Sequence, residues 1–186
     1  MKTILGVISD THMYKADKEL EFLNEIVFKN ASKIIHCGDL VSLNVLDGFS
    51  NKKVIAVSGN MDGSNVRNVY PFIEKITVSG VNFLILHGNG YYSNFFNSLQ
   101  NEFPDFNVFL YGHTHKPLIN KIGKNIFFNP GSFSYNRVKD PSRSAGLIEI
   151  EDEKAVFKII DLSKISQKKF TIKEVLDVRH NKGNFF

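Results

Sequence analysis

The sequence predicts an α/β fold, and three observations carry that expectation. Apolar runs at residues 3–8, 33–37 and 53–57 are continuous rather than alternating, as in strands covered on both faces. Stretches with helical spacing separate them, which makes these stretches crossover connections between parallel strands. Later runs meet at short polar turns, as antiparallel hairpins do.

In order, residues 3–8 form a strand that ends at Ser9-Asp10-Thr11-His12. Residues 17–30 place Leu20, Leu23, Ile26 and Val27 at helical spacing, with Asp17 as the cap. The strand at 33–37 ends at Gly38-Asp39, and a shorter helical stretch at 42–49 leads to the strand at 53–57, which ends at Gly59-Asn60-Met61-Asp62. The polar segment up to Pro71 is irregular or a short helix. Residues 72–78 and 81–86 form a hairpin about Gly80, and its second strand stops at His87-Gly88. A helix at 93–103 precedes the apolar run 107–111, which closes in Gly112-His113-Thr114-His115. If the extended conformation continues, both histidine rings leave the backbone on one side. Two more hairpins follow, 118–122 with 125–128 through Gly123-Lys124, and 144–150 with 154–160 around Glu151-Asp152-Glu153. Between them Asn129-Pro130-Gly131-Ser132 reads as a type II turn. One domain is expected over residues 1–162. Residues 163–186 are expected to be a loosely held basic tail, with a possible helix at 171–179 and Phe185-Phe186 at its end.

A chain of 186 residues supports one domain with its own core, and 42% hydrophobic residues with mixed charge exclude a disordered chain. The net charge of +4 invites a nucleic-acid reading until it is located. Six of the 23 basic and two of the 19 acidic residues lie from Lys164 onward, leaving 17 of each sign before it. The body is neutral, which argues against a phosphate-backbone binder and leaves only a local patch open. The first apolar run is broken at Asp10, and no run reaches 18 apolar residues, so no membrane association and a cytoplasmic location are expected. Cys37 is the only cysteine, which excludes an internal disulfide and a thiolate metal cluster.

The polar residues concentrate at strand ends. Five apolar runs end in Asp10/His12, Asp39, Asn60, His87 and His113/His115, and the carboxyl ends of parallel strands are where α/β sites assemble. Singly, each has an ordinary explanation as a cap, a turn residue or a hydrogen-bonded histidine. Jointly they place four of the six histidines with both early Asp-containing loops. Four imidazoles, two carboxylates and one amide, without sulfur, suit Mn²⁺, Fe or Zn²⁺. Seven ligands are too many for one tetrahedral ion. Two ions about 3.5–4 Å apart can hold a hydroxide and clamp the oxygens of an in-line displacement at phosphorus.

The series Asp10-x-His12, Gly38-Asp39, Gly59-Asn60-x-Asp62, His87-Gly88 and Gly112-His113-x-His115 resembles the calcineurin-like metallophosphoesterase superfamily, and within it the small single-domain bacterial and archaeal phosphodiesterases. The resemblance spans about residues 3 to 160. It implies a four-layer α/β/β/α sandwich of two mixed sheets, with the metals at one rim. It also implies Asp10, His12 and His115 on one metal, Asn60, His87 and His113 on the other, and Asp39 between them. The implied activity is a phosphoesterase acting on small phosphate esters, most naturally diesters, through a hydroxide bridging two divalent ions. Mn²⁺ is the first expectation, with Ni²⁺, Zn²⁺ or Fe as substitutes. Family members are often homo-oligomers.

One departure bears on mechanism. Many members carry a histidine after the Gly-Asn pair, thought to protonate the leaving group, whereas this chain has Met61, followed by Asp62 as a residue behind the site. A thioether donates no proton, so esters with good leaving groups should be cleaved best. The small phosphodiesterase branch resembles this chain in lacking that histidine. His36 reads as a histidine behind the site or in the core, Asn89 stands where relatives often have a second histidine, and Arg137 and Arg143 are remote candidates for a substrate phosphate. Two rivals stand beside the enzyme: a non-catalytic scaffold on the same fold, as in a trafficking-coat subunit of the superfamily, and a nuclease. A scaffold is expected to lose ligands, and here every position is filled.

Overall fold

The computed structural model describes residues 2–91, 94–134 and 142–178. Arg137, Phe185 and Phe186 lie outside them. Two mixed sheets form the body. The first has the order β11-β10-β9-β1-β2-β3, where β1 is Thr3–Ile8, β2 Lys33–His36, β3 Lys53–Ala56, β9 Ser144–Glu151, β10 Lys154–Asp161 and β11 Thr171–Asp177. The second has the order β4-β5-β6-β8-β7, where β4 is Ile73–Val78, β5 Val81–Leu86, β6 Val108–Leu110, β7 Leu118–Ile122 and β8 Asn125–Asn129. Strands β1, β2 and β3 run parallel, as do β5, β6 and β8, and the expected hairpins supply the antiparallel pairs β4–β5, β7–β8 and β9–β10.

The continuous apolar character of β1 and β2 follows from their double coverage. Leu5, Val7 and Ile35 face the second sheet and pack with Phe83, Ile85, Leu110 and Phe128, all fully buried. Ile8 and Ile34 face outward into a cluster with Leu20, Leu23, Phe28 and Phe49. On the other side, α3 (Phe95–Glu102) covers the outer face of the second sheet through Leu99 over Phe109 and Phe127. The result is the expected four layers, with helical segments outside two facing sheets.

The crossover after β1 departs from a regular helix. Asp17 caps α1 (Lys18–Phe22) by accepting from the Glu19 and Leu20 amides, and a π-helical turn over Leu23–Val27 follows. The wider turn keeps Leu23 and Val27 inward but leaves Ile26 half exposed, against its expected place on the buried face. The stretch before β3 is a 3₁₀ turn, Leu43–Phe49, capped by Ser42. The polar segment before β4 holds one short helix, α2 (Ser64–Arg67).

The expected helix at 171–179 is corrected: Thr171–Asp177 is strand β11, paired antiparallel with β10. Ile160 pairs with Ile172 and Ile159 with Glu174, so Lys173 is a bulge. Leu176 and the fully buried Val178 anchor this segment to the inter-sheet core, which also corrects the expectation of a loosely held stretch up to that point. Among the described residues no helix is long and apolar enough to cross a membrane.

Candidate metal centre

The carboxyl ends of β1, β2 and β3 in one sheet and of β5 and β6 in the other meet at one rim, and backbone bonds stitch their loops together. The Asp10 amide donates to the Gly38 carbonyl (3.0 Å), His12 to Asp39 (3.0 Å) and Gly112 to His87 (3.0 Å). Two glycines permit this closeness. A Cβ on Gly59 would collide with the Asp39 carboxylate and backbone, and one on Gly112 with the Ser9 hydroxyl.

Asp10 and Asp39 are buried, and each has one oxygen held by the backbone and one aimed at histidines. Asp10 Oδ2 accepts from the His113 amide (3.1 Å), and Asp39 Oδ1 accepts from the Met61 amide (2.7 Å). Asp10 Oδ1 then lies 3.1 Å from His115 Nε2 and 3.9 Å from Nε2 of both His12 and His87. Asp39 Oδ2 lies 3.2 Å from His87 Nε2 and 3.9 Å from His12 Nε2. Two triads with compact donor atoms result, Asp10-His12-His115 and Asp10-Asp39-His87.

The backbone of this rim is strained. Asp10, His12, Asp39, Val41, His113 and His115 all have positive φ, between 48° and 75°. Left-handed non-glycine residues cost of order 1–3 kcal/mol each and concentrate where function holds them. They also correct one expectation: the strand stops at Leu110, and His113 and His115 do not continue it with rings on one side. His113 instead places its ring edge-on to His87, 5.2 Å between centroids, while His115 faces His12 at 5.3 Å. Each histidine serves a different half of the cluster. Asn60 is exposed, with its carbonyl accepting from Arg67 (3.1 Å), and Met61 beside it is 59% exposed.

The buried carboxylates and histidines of the site shift one another's titration. Burial alone would lower the His87 pKa, but the Asp39 carboxylate 3.2 Å from Nε2 and the charge of Asp10 overcome it and raise the value. Burial likewise opposes ionisation of Asp39, and His87 outweighs it, so that its carboxyl titrates below the usual value. The His113 pKa is lowered by burial and by His87. His87 Nδ1 donates to the Cys37 carbonyl (2.8 Å), which turns Nε2 toward the carboxylates. Asp10 Oδ1 and His87 Nε2 are fully buried yet form no aligned hydrogen bond. Buried polar atoms are ordinarily satisfied. A divalent ion between oxygen and nitrogen donors answers both, so the residues present fit a metal.

Several residues that hold this arrangement carried little signal in the sequence. Asp62, named only as a residue behind the site, accepts from three amides: Asp39 (3.0 Å) and Gly59 (2.7 Å) on Oδ2, and Val41 (2.6 Å) on Oδ1. Asn129, expected only as part of a turn, is fully buried, and its Nδ2 donates to the Gly112 carbonyl (2.8 Å) and the Thr114 hydroxyl (3.1 Å). The following Ser132 hydroxyl donates to the Asp10 carbonyl (3.0 Å). His36 Nδ1 accepts from the Gly38 amide (3.2 Å), which leaves the proton on Nε2 for the Thr11 hydroxyl (3.1 Å); burial holds its pKa down at about 3. Arg143 is not placed for a substrate phosphate. It is buried, paired with Glu19 (2.6 Å), donating to the Phe133 carbonyl (2.6 Å) and stacked over the Phe133 ring. Asn89 lines a small cavity of about 180 Å³ together with His87 and Phe72.

The comparisons with known proteins agree with this geometry. A family model described as the calcineurin-like phosphoesterase superfamily domain matches residues 3–153. A probable metallophosphoesterase of Methanocaldococcus jannaschii is 33% identical over 154 residues, covering 81% of this chain and 77% of that protein. A phosphodiesterase of the same archaeon is 30% identical over 142 residues, covering 68% and 82% respectively. Among solved structures, Vps29 of Entamoeba histolytica complexed with Zn²⁺ superposes with a TM-score of 0.78 at 22% identity, over 94% of this chain and 99% of that one. The E. coli phosphoesterase Yfce superposes with a TM-score of 0.67 at 21% identity, over 96% and 100%. The two structures share the fold, and the family match extends over the loops just described: the chain is a member of the calcineurin-like phosphoesterase superfamily.

Proposed function

We propose that the protein is a phosphodiesterase, acting also on some monoesters, that works with two divalent ions at this rim. Asp10, His12 and His115 hold one ion and Asn60, His87 and His113 the other, with Asp39 between them. Mn²⁺ is the favoured metal, and Ni²⁺, Zn²⁺ and Fe are substitutes. The observation that carries it is the pair of triads sharing Asp10, whose Oδ1 is buried without an aligned partner beside the equally unsatisfied His87 Nε2. The phosphodiesterase relative at 30% identity supports the same class of ester.

Two ions so held supply a lowered pKa for water and Lewis-acid charge for the phosphoryl oxygens. The chain's own residues fix the geometry in advance. Backbone donors tie down one oxygen of each carboxylate, the Cys37 carbonyl orients His87, and Asn129 braces the loop that carries His113 and His115. Preorganised donors of this kind cost no reordering when the reaction occurs. His113 is exposed at the mouth, where a substrate phosphoryl group would approach the ion it holds. Met61 offers no proton, so the leaving group departs as an anion and its own acidity governs the rate.

The test is hydrolysis of an activated diester and of its monoester counterpart after metal stripping, with Mn²⁺, Ni²⁺, Zn²⁺ and Mg²⁺ restored separately, alongside calorimetric binding of each ion. Diester turnover restored by Mn²⁺ is the expected outcome. Metal binding without turnover of any ester would favour the scaffold reading, to which the Vps29 likeness lends its fold. Cleavage of single-stranded oligonucleotides in preference to small diesters would favour the nuclease.

A further inference from the structure

A cavity of about 480 Å³ opens beside the metal centre, and most of its wall, including Tyr91, Phe95, Phe96, Tyr111 and Leu118, takes no part in the site chemistry. His113 and Gly112 belong both to that wall and to the loop of the metal centre, so the two spaces are continuous. We propose that this cavity receives a planar aromatic ring carried on one ester arm of the substrate, an aryl group or a nucleobase. The inference rests on the phosphodiesterase reading, because a phosphoryl group at the metals would direct one arm past His113 into the cavity.

The wall favours a ring over other apolar groups. Phe95 stands edge-on to Tyr91 (5.9 Å, 89°) and to Phe96 (5.4 Å, 75°), and 4.7 Å from Tyr111. These are the separations and tilts that aromatic pairs prefer, and one more ring extends the same packing. The Tyr91 hydroxyl is turned away to Glu102 (2.9 Å), which leaves its ring to the cavity. An alkyl chain would fill the volume too, but it would lose more rotational freedom on entering. The charge is also selective: among the described residues Lys116 lines the cavity and no carboxylate does, which suits an anion with an apolar arm and opposes a cationic one. The volume lies within the roughly 300–1,000 Å³ of small-molecule sites.

The Mn²⁺-loaded protein is titrated calorimetrically with methylphosphonate, phenylphosphonate and a non-hydrolysable nucleoside 5′-phosphonate, which share the anionic head and differ in the arm. Phenylphosphonate should bind at least tenfold tighter than methylphosphonate, and the nucleoside phosphonate separates a base-sized arm from a simple aryl one. In Phe95→Leu the ratio should fall below threefold. Leu118→Ser repeats the test at a cavity residue on the partly exposed strand β7, so misfolding of the first variant would not end it. Equal binding of the phenyl and methyl compounds, or no binding of the phenyl compound, overturns the aromatic arm. If diesters are still hydrolysed, the hydrolase reading survives that result; if neither phosphonate binds and no ester is cleaved, both fall.

Discussion

His12 Nε2 and His115 Nε2 face each other at 3.3 Å, although 103 residues separate them. Two ring nitrogens at that distance either share a proton or share a cation. If they share a cation, adding Mn²⁺ to chelator-treated protein should raise Tm. A ligand at a hundred times its Kd adds about 2.7 kcal/mol, or roughly 5–10 °C for a chain of this size. His12→Ala and His115→Ala should each abolish most of the shift in a calorimetric scan, and an undiminished shift in both would place the metal elsewhere.

Asp62 should matter more than its distance from the cavity suggests. Its carboxylate accepts three amides from two loops, and Asp62→Asn replaces an acceptor with a donor at one of them. Hydrogen bonds to a charged group contribute about 1.5–3 kcal/mol each, so a loss of about 3 kcal/mol in urea unfolding is expected. Residues that orient ligands typically alter metal affinity 10–100-fold, and Mn²⁺ titration of Asp62→Asn should show a loss in that range.

Met61→His tests where the leaving-group proton comes from. Met61 is 59% exposed, so the change should not disturb folding. Rates on poor leaving groups should rise by about 10²–10⁴ while activated esters change little, flattening the plot of rate against leaving-group pKa. An unchanged slope would mean that another group already supplies the proton.

The buried neutral His36 sets a pH dependence. Its pKa is about 3 when folded and near 6.5 when unfolded, so below pH 6.5 the unfolded chain takes up a proton that the native chain refuses. Stability contributed by the neutral ring is therefore complete above pH 6.5 and lost as pH falls from there to about 3, with a slope of about 1.4 kcal/mol per pH unit. Asp10 and Asp39 oppose this by favouring the charged ring, while His87 and His12 reinforce it. Urea midpoints of the chelated protein across that range should fall less steeply in His36→Gln than in the parent; parallel curves would contradict the assignment.

Much of the rim could be read before any coordinates, because a polar residue at the end of a buried apolar run has few other reasons to be there. That logic points to the rim where the Asp10, Asp39 and His87 donor atoms gather. It fails for Asn129 and says little about Asp62, whose roles exist only once distant loops touch. It also misplaces the geometry of His113 and His115, since nothing in the residue pattern marks a left-handed backbone at non-glycine positions. Strand β11 escapes the pattern for a different reason. Ile172, Val175 and Leu176 fall at helical spacing, and on an edge strand with a bulge at Lys173 no second buried face enforces the twofold alternation that would mark it as a strand.

The division of the proposed ligands between layers has a mechanical consequence. Asp10, His12 and Asp39 follow strands of one sheet, while His87, His113 and His115 follow strands of the other. Ions held there would be gripped from both sides and would act as rivets through the seam. Sliding one sheet over its neighbour would first require them to be pulled out, so the slowest breathing motion of the loaded protein should be the parting of these two plates.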